Sequence, residues 1–109
     1  MIHKTFFNIK EIFQLALQNQ NKKKFFEAKQ LYKKVLELNP KIKEAEFNLG
    51  VIHEILSENE EAVKCYERVL NIDPTHIFTY NNLGLIFNKL GKYRESINYF
   101  NKAISLNPN

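Results

Sequence analysis

Histidine and cysteine often carry out catalysis or bind metals, and this sequence has few of them. The three histidines, His3, His53 and His76, are not grouped with one another or with a candidate nucleophile. The single cysteine, Cys65, has no neighbouring base, and no Cys and His residues have metal-site spacing. A glycine-rich loop for holding phosphate groups is also lacking. We therefore expect no active site, metal or cofactor, and any catalysis would belong to a domain outside this chain.

The composition is that of a small folded domain. Apolar residues make up 44% of the 109 residues, which suits one domain with a modest core. No stretch approaches the ~20 apolar residues of a membrane span. The first twenty residues are interrupted by Lys10 and Glu11 and do not form a signal peptide. With one unpaired cysteine, these features predict a cytoplasmic protein.

Three prolines divide the chain into equal parts. Pro40, Pro74 and Pro108 lie 34 residues apart, and each follows Asn or Asp. Proline ends a helix because it lacks a backbone N–H and fixes φ, and a period of this length indicates a repeat architecture. We therefore predict a single domain of three repeat units at residues 9–42, 43–76 and 77–109, with residues 1–8 extending the first helix.

Each unit is expected to form two amphipathic helices, because its apolar residues recur at spacings of three and four. The predicted first helices span residues 5–21, 43–56 and 77–90, with Thr5 a possible cap, and the second helices span 24–38, 59–72 and 92–106. A column of small residues recurs in the first helices and a column of aromatic residues in the second: Ala16, Gly50 and Gly84, then Tyr32, Tyr66 and Phe100. Glycine inside a helix costs ~1 kcal/mol relative to alanine, so the small column predicts close packing against the aromatic one.

These columns carry a resemblance to a known family. The third unit contains Tyr80-x2-Leu83-Gly84-x2-Phe87, then Ser96-x3-Phe100-x2-Ala103, and finally Pro108. This pattern resembles the tetratricopeptide repeat, and the resemblance covers residues 9–109. Glu46 and Asn19 depart from it, since they stand where an aromatic residue is usual. His53 also takes an aromatic position, and we interpret it as a packed residue rather than a base.

The resemblance implies an all-α fold, a right-handed solenoid of three helix-turn-helix units whose first helices line a concave groove. It also implies a function, because the family is a general scaffold for contact between proteins. Carried over position by position, the implied peptide-binding groove consists of Phe13, Gln14, Leu17, Phe47, Asn48, Val51, Asn81, Asn82 and Leu85.

Two features of this groove each allow two interpretations. The amides of Gln14, Asn48 and Asn82 could hold the backbone of an extended peptide, since an amide both donates and accepts hydrogen bonds. Alternatively, they bond to neighbouring helix ends. The apolar residues could seat an amphipathic helix or a hydrophobic peptide. Alternatively, some of them belong to the core between helices.

The groove residues argue against one class of partner, a peptide with an acidic C-terminus. Related domains that bind the acidic C-termini of heat-shock chaperones use two Lys, one Arg and two Asn at set positions. This sequence has Phe13, Leu17, Asn48, Phe78 and Asn82 there, and only Asn48 fits. Without a cation the terminal carboxylate has no counter-charge, so we predict no such binding.

Charge is distributed unevenly along the chain. Residues 1–42 hold nine Lys and three Glu, a net charge of +6, whereas residues 43–109 have a net charge of −2. This basic N-terminal unit could attract nucleic acid, an acidic protein or lipid headgroups. The alternative, which we favour, is a solvated surface that binds none of them.

The third unit is expected to leave an apolar edge, because no polar capping helix follows Pro108. Ile97, Phe100 and Ile104 would form that edge, covered by further chain, by a partner or by a second copy in a homo-oligomer. The sequence thus predicts a non-catalytic module that binds a protein or peptide. The alternatives are a self-assembly or recruitment region of a larger enzyme or complex and, less favoured, a nucleic-acid adaptor.

Overall fold

The computed structural model describes residues 7–108, and this part of the chain forms six α-helices and no strand. Each helix packs against its neighbours in the chain, which produces a solenoid with dimensions of 60 × 24 × 21 Å. The predicted all-α solenoid of helix pairs is therefore confirmed. No helix within residues 7–108 is long and apolar enough to cross a membrane. The helices are α1 (Ile9–Asn21), α2 (Phe25–Leu38), α3 (Lys43–Ile55), α4 (Asn59–Ile72), α5 (Ile77–Lys89) and α6 (Tyr93–Leu106).

The first helix begins later than predicted. Asn8 is extended, with φ −76° and ψ 167°. Its side-chain oxygen accepts from the backbone N–H of Glu11, and its Nδ2 donates to the Glu11 carboxylate, both at 2.8 Å. This reciprocal cap starts α1 at Ile9, because the cap residue must have a non-helical backbone. The predicted extension is therefore wrong at residues 7 and 8, and Thr5 lies outside the described residues.

The close approach of the two helices in a unit is confirmed in the second and third units. A Cβ atom added to Gly50 would lie 2.6 Å from Cε1 of Tyr66, and one added to Gly84 would lie 2.6 Å from Cε1 of Phe100. These distances leave no room for a methyl group against a ring that stays in place. Packing against these rings therefore favours glycine at both positions and offsets its unfavourable helix propensity.

The turns between the helices of a unit share one backbone conformation. Lys23, Ser57 and Gly91 all have positive φ, at 61°, 61° and 77°. The residue after each donates its N–H to a carbonyl five residues back, as Glu58 does to His53 at 2.7 Å. This is the Schellman arrangement, which prefers glycine at the left-handed position. Lys23 and Ser57 adopt it without being glycine, at a conformational cost.

Polar side chains fix the loops that contain the prolines. The side chain of Asn39 accepts from the backbone N–H of Lys41 at 3.0 Å, and Asp73 accepts from that of Thr75 at 3.1 Å. The other carboxylate oxygen of Asp73 lies 2.8 Å from Nζ of Lys43, at the start of α3. The hydrogen bond from Lys43 holds the pKa of the Asp73 carboxyl well below its usual range. The loop is thereby tied to the beginning of its own unit.

Candidate protein-binding face

The first helices α1, α3 and α5 carry all the predicted groove residues, and their shared surface is called the first-helix face below. At its N-terminal end lies a cavity of about 520 Å³ between α1 and the start of α3. Three predicted groove residues meet there, Phe13, Gln14 and Leu17, together with Lys10. Ile9 and Ile42 also line the cavity, although they were not predicted as site residues. Ile42 could have been found from its position two residues after Pro40, in the loop that leads into α3.

The two aromatic residues predicted for this face are partly buried. The Phe13 ring lies edge-on to Tyr32, with ring centroids 5.8 Å apart. The Phe47 ring lies 5.6 Å from that of Tyr66 and 5.0 Å from that of His76. Each phenylalanine therefore supports the packing between helices with one side and faces outward with the rest, so both interpretations of these residues hold in part.

The aliphatic residues of the face differ from one repeat unit to the next. Leu17 and Val51 are partly buried and pack against the core. On α5, by contrast, Leu85 is 54% exposed and Phe78 is 70% exposed. Apolar side chains this exposed are not part of the core. The third unit therefore presents the most accessible apolar surface of the first-helix face.

Two of the three predicted amides hold neighbouring units together. Nδ2 of Asn48 donates to the hydroxyl of Tyr32 at 3.3 Å, and Nδ2 of Asn82 donates to that of Tyr66 at 3.2 Å. In both cases the tyrosine belongs to the second helix of the preceding unit. The amides therefore bond to a neighbouring side chain rather than to a helix end. Gln14 in the first unit is exposed and lines the apolar cavity.

The same tyrosines also donate a hydrogen bond within their own unit. The hydroxyl of Tyr32 donates to Gln20, and that of Tyr66 donates to the carboxylate of Glu54. Burial raises the pKa of Tyr32 to about 12. The pKa of Tyr66 is raised further, first by burial and then by its bond to Glu54. Both hydroxyls therefore remain protonated and connect one unit to the next.

Asn81 lies apart from the other predicted site residues. It is partly buried and lines a smaller cavity of about 170 Å³, which faces Ala103 and Ile104 of α6. The structure thus gathers Phe13, Gln14 and Leu17 in one cavity and places Phe47, Asn48 and Val51 along α3. It directs Asn81 towards α6.

His53 and Cys65, two of the side chains considered for chemistry, are both packed in the interior. His53 is 5% exposed, and its Nδ1 lies 2.8 Å from a carboxylate oxygen of Glu58, which also binds Lys29. Cys65 is 1% exposed, and burial raises the pKa of its thiol to about 12. A thiol with so high a pKa is a poor nucleophile. Both residues therefore act as packing groups.

Comparison with solved structures gives the same architecture. A crystal structure of MamA superposes with a TM-score of 0.88 at 24% identity, over 91% of this chain and 58% of MamA. A structure titled MamA AMB-1 has a TM-score of 0.86 at 27% identity, over 93% and 55% of the two chains. One titled MamA MSR-1 also reaches 0.86, at 28% identity over 93% and 58%. The chain therefore spans a little more than half the length of these structures.

Sequence comparison identifies the family. No curated protein matches the chain significantly. Models of the tetratricopeptide repeat, however, match residues 10–42, 44–76 and 77–109, which reproduces the three units marked by the prolines. Taken with the six-helix solenoid, these matches show that the chain belongs to the tetratricopeptide repeat family, whose members are scaffolds for protein–protein contact.

Proposed function

We propose that this chain is a non-catalytic binding module that takes an apolar peptide or a partner helix on the first-helix face. The observation that carries the proposal is the cavity of about 520 Å³, lined mainly by apolar side chains. Lys10 and Glu44 lie at this cavity with opposite charges, so they can orient a partner. The exposed Phe78 and Leu85 extend the apolar surface along the face.

The experiment begins with selection of binding peptides from a displayed random library against the purified chain. Affinities of the selected peptides are then measured by fluorescence anisotropy. We expect apolar anchors in these peptides, because a partner must fill the cavity to gain free energy from burial. Gln14→Glu and Leu85→Glu, which place charge on the first-helix face at exposed positions, should weaken binding by about tenfold or more.

A matched control places the same charge outside the face. Ile97 on α6 is exposed, so Ile97→Glu adds a carboxylate without touching the proposed site. Its affinity should stay within about twofold of the wild type, which corresponds to less than ~0.5 kcal/mol. Equal weakening by all three variants, or by none, would show that the first-helix face is not the binding surface.

A second candidate function is self-association through the third unit, either alone or within a larger enzyme or complex. Ile97 and Ile104 are 56% and 60% exposed on α6, where the sequence predicted an apolar edge. Sedimentation velocity over a range of concentrations tests this proposal. We expect a dimer that Ile104→Lys converts to a monomer, whereas a wild-type chain that stays monomeric at high concentration contradicts it.

Nucleic-acid binding is less favoured, because part of the basic unit is already neutralised. Lys29 binds Glu58 at 3.3 Å, and Lys34 lies 3.5 Å from Glu37. A cytoplasmic location remains part of our proposal, on the basis of the unpaired Cys65. Failure to bind a single-stranded RNA or DNA oligomer at ~50 mM salt would support a protein partner over nucleic acid.

A further inference from the structure

A second cleft, of about 520 Å³, opens between the second helices α2 and α4. Buried side chains of α3 form its floor: Glu46, Leu49 and His53. It is called the Glu46 cleft below. It lies outside the proposed peptide site, because none of its lining residues belongs to the first-helix cavity.

Two of the residues that line the cleft, Glu46 and His53, stand at positions that hold larger aromatic side chains in the third unit. Tyr80 and Phe87 hold these positions in the third unit, 34 residues after Glu46 and His53. There the Tyr80 hydroxyl donates to the carbonyl of Pro74 at 2.7 Å, and Phe87 stacks on Tyr99 with centroids 5.3 Å apart. The shorter side chains of Glu46 and His53 leave the corresponding space in the second unit open.

Glu46 itself is an unusual floor residue. It is 3% exposed, and one carboxylate oxygen accepts from Nε of Arg68 at 2.8 Å. The other oxygen, Oε2, is buried and receives no hydrogen bond from any part of the chain between residues 7 and 108. A buried carboxylate oxygen without a donor is costly, because desolvation is not compensated. An incoming N–H group would remove that cost.

The surroundings of Glu46 favour a planar cation on an apolar stem. Glu37 and Glu61 line opposite walls of the cleft, and Leu36 and Pro40 provide apolar surface. Arg68 uses its Nη2 on the sulfur of Cys65 at 3.4 Å, so its guanidinium engages only one oxygen of Glu46. About half of the Arg68 side chain is exposed. It can therefore shift and let a second cation reach Oε2.

We propose that the Glu46 cleft binds a guanidinium group, carried by an arginine side chain or by a small guanidine. The guanidinium donates to Oε2 of Glu46, while its stem packs on Leu36 and Leu49. A guanidinium fits better than an ammonium because it is flat, like the Tyr80 ring in the next unit, and presents several donors in a plane. Lys33 also lines the cleft, and its exposed side chain has room to turn towards solvent.

The test is a titration of the labelled chain with ethylguanidinium, followed by amide chemical shifts in two-dimensional NMR. We expect saturable shifts around Glu46 and His53, with intermolecular contacts to the methyl groups of Leu36 and Leu49. Ethylammonium should bind at least about threefold more weakly. Shifts that do not saturate, or an equal response to ethylammonium, would overturn the proposal without any variant being needed.

Three variants sharpen the result. Glu46→Gln removes the charge, Glu46→Tyr fills the cleft as Tyr80 does, and Glu44→Gln makes the same charge change at an exposed position on the same helix. The response should disappear in the first two and persist in the third, whereas an unchanged response in Glu46→Gln refutes the assignment. N-acetylarginine methylamide separates the two sources. Tighter binding than ethylguanidinium assigns the site to an arginine side chain, and equal or weaker binding assigns it to a free guanidine.

Discussion

Replacement of Gly50 by alanine should destabilise the protein even though alanine is the better helix former. The new Cβ would lie 2.6 Å from Cε1 and 2.9 Å from Cδ1 of Tyr66. Tyr66 cannot easily move, because it is fully buried and its hydroxyl binds both Glu54 and Asn82. Overpacking of this kind costs ~1–3 kcal/mol, and a fixed ring places Gly50→Ala at the upper end. Subtracting the helix-propensity gain of ~1 kcal/mol leaves a net loss of ~2 kcal/mol.

Gly84→Ala provides the comparison, because it makes the same change against a less constrained ring. Its Cβ would also lie 2.6 Å from a ring carbon, Cε1 of Phe100. Phe100, however, is partly exposed and lacks a hydroxyl group, so its ring can yield outward. The packing cost should fall to the lower end of the range, ~1 kcal/mol. This nearly cancels the propensity gain of ~1 kcal/mol, so the net change should be small.

Urea denaturation followed by circular dichroism measures both changes, with the midpoint and slope fitted separately. The double variant Gly50→Ala with Tyr66→Phe tests the cause, because loss of the hydroxyl frees the ring. Measured against Tyr66→Phe alone, the loss of stability caused by the added methyl group should fall towards that of Gly84→Ala. If Gly50→Ala equals or exceeds the wild type in stability, or if Gly84→Ala is the more damaging change, hydrogen bonding of Tyr66 does not set the packing limit.

Three further predictions concern the turns and the tyrosines. Ser57→Gly should raise the free energy of unfolding by ~1 kcal/mol in urea denaturation, because Ser57 has a left-handed φ of 61° and the equivalent residue of the third unit is Gly91. No gain would mean that the turn is unstrained. Tyr66→Phe should lower the free energy of unfolding by ~1–2 kcal/mol, since Glu54 and Asn82 lose a partner; an unchanged midpoint would contradict this. Burial raises the pKa of Tyr32 in the folded protein to about 12, whereas the pKa in the unfolded chain is ~10. The contribution of Tyr32 to the free energy of unfolding is therefore complete below pH ~10 and is lost as the pH rises towards 12. In Tyr32→Phe the free energy of unfolding should therefore fall less steeply with pH in this range, and a pH profile identical to that of the wild type would refute the prediction.

The fold was readable from the sequence because its information is local and repeated. The periodic apolar spacing predicted α4 at its observed ends, Asn59–Ile72, and the other boundaries except the start of α1 to within one residue. The start of α1 was missed because the reciprocal cap between Asn8 and Glu11 outweighs an apolar stripe that continues upstream. A cap depends on two side chains, whereas periodicity averages over many, so a repeat pattern does not predict the cap.

The candidate sites were less predictable, because they depend on contacts between units. The sequence placed Asn48 and Asn82 in one column but left two roles open, and only the packing brings each within reach of a tyrosine 16 residues earlier. Glu46 was recognised as a departure from the family pattern. Its pairing with Arg68, 22 residues later and on another helix, could not be inferred from the column alone.

Repetition gives this protein an internal comparison that a non-repetitive fold lacks. Because the three units share a backbone, a residue that differs within a column changes the surface locally while the frame stays constant. In the second unit Glu46 lines a cleft, whereas Tyr80 holds the same column in the third unit and bonds to the carbonyl of Pro74. Leu85 and Phe78 on α5 expose apolar surface, whereas apolar residues of α1 line a cavity. The repeated frame thus comes from matching columns and the local differences in surface from mismatched ones, so Glu46→Tyr should close the Glu46 cleft and leave the first-helix cavity intact.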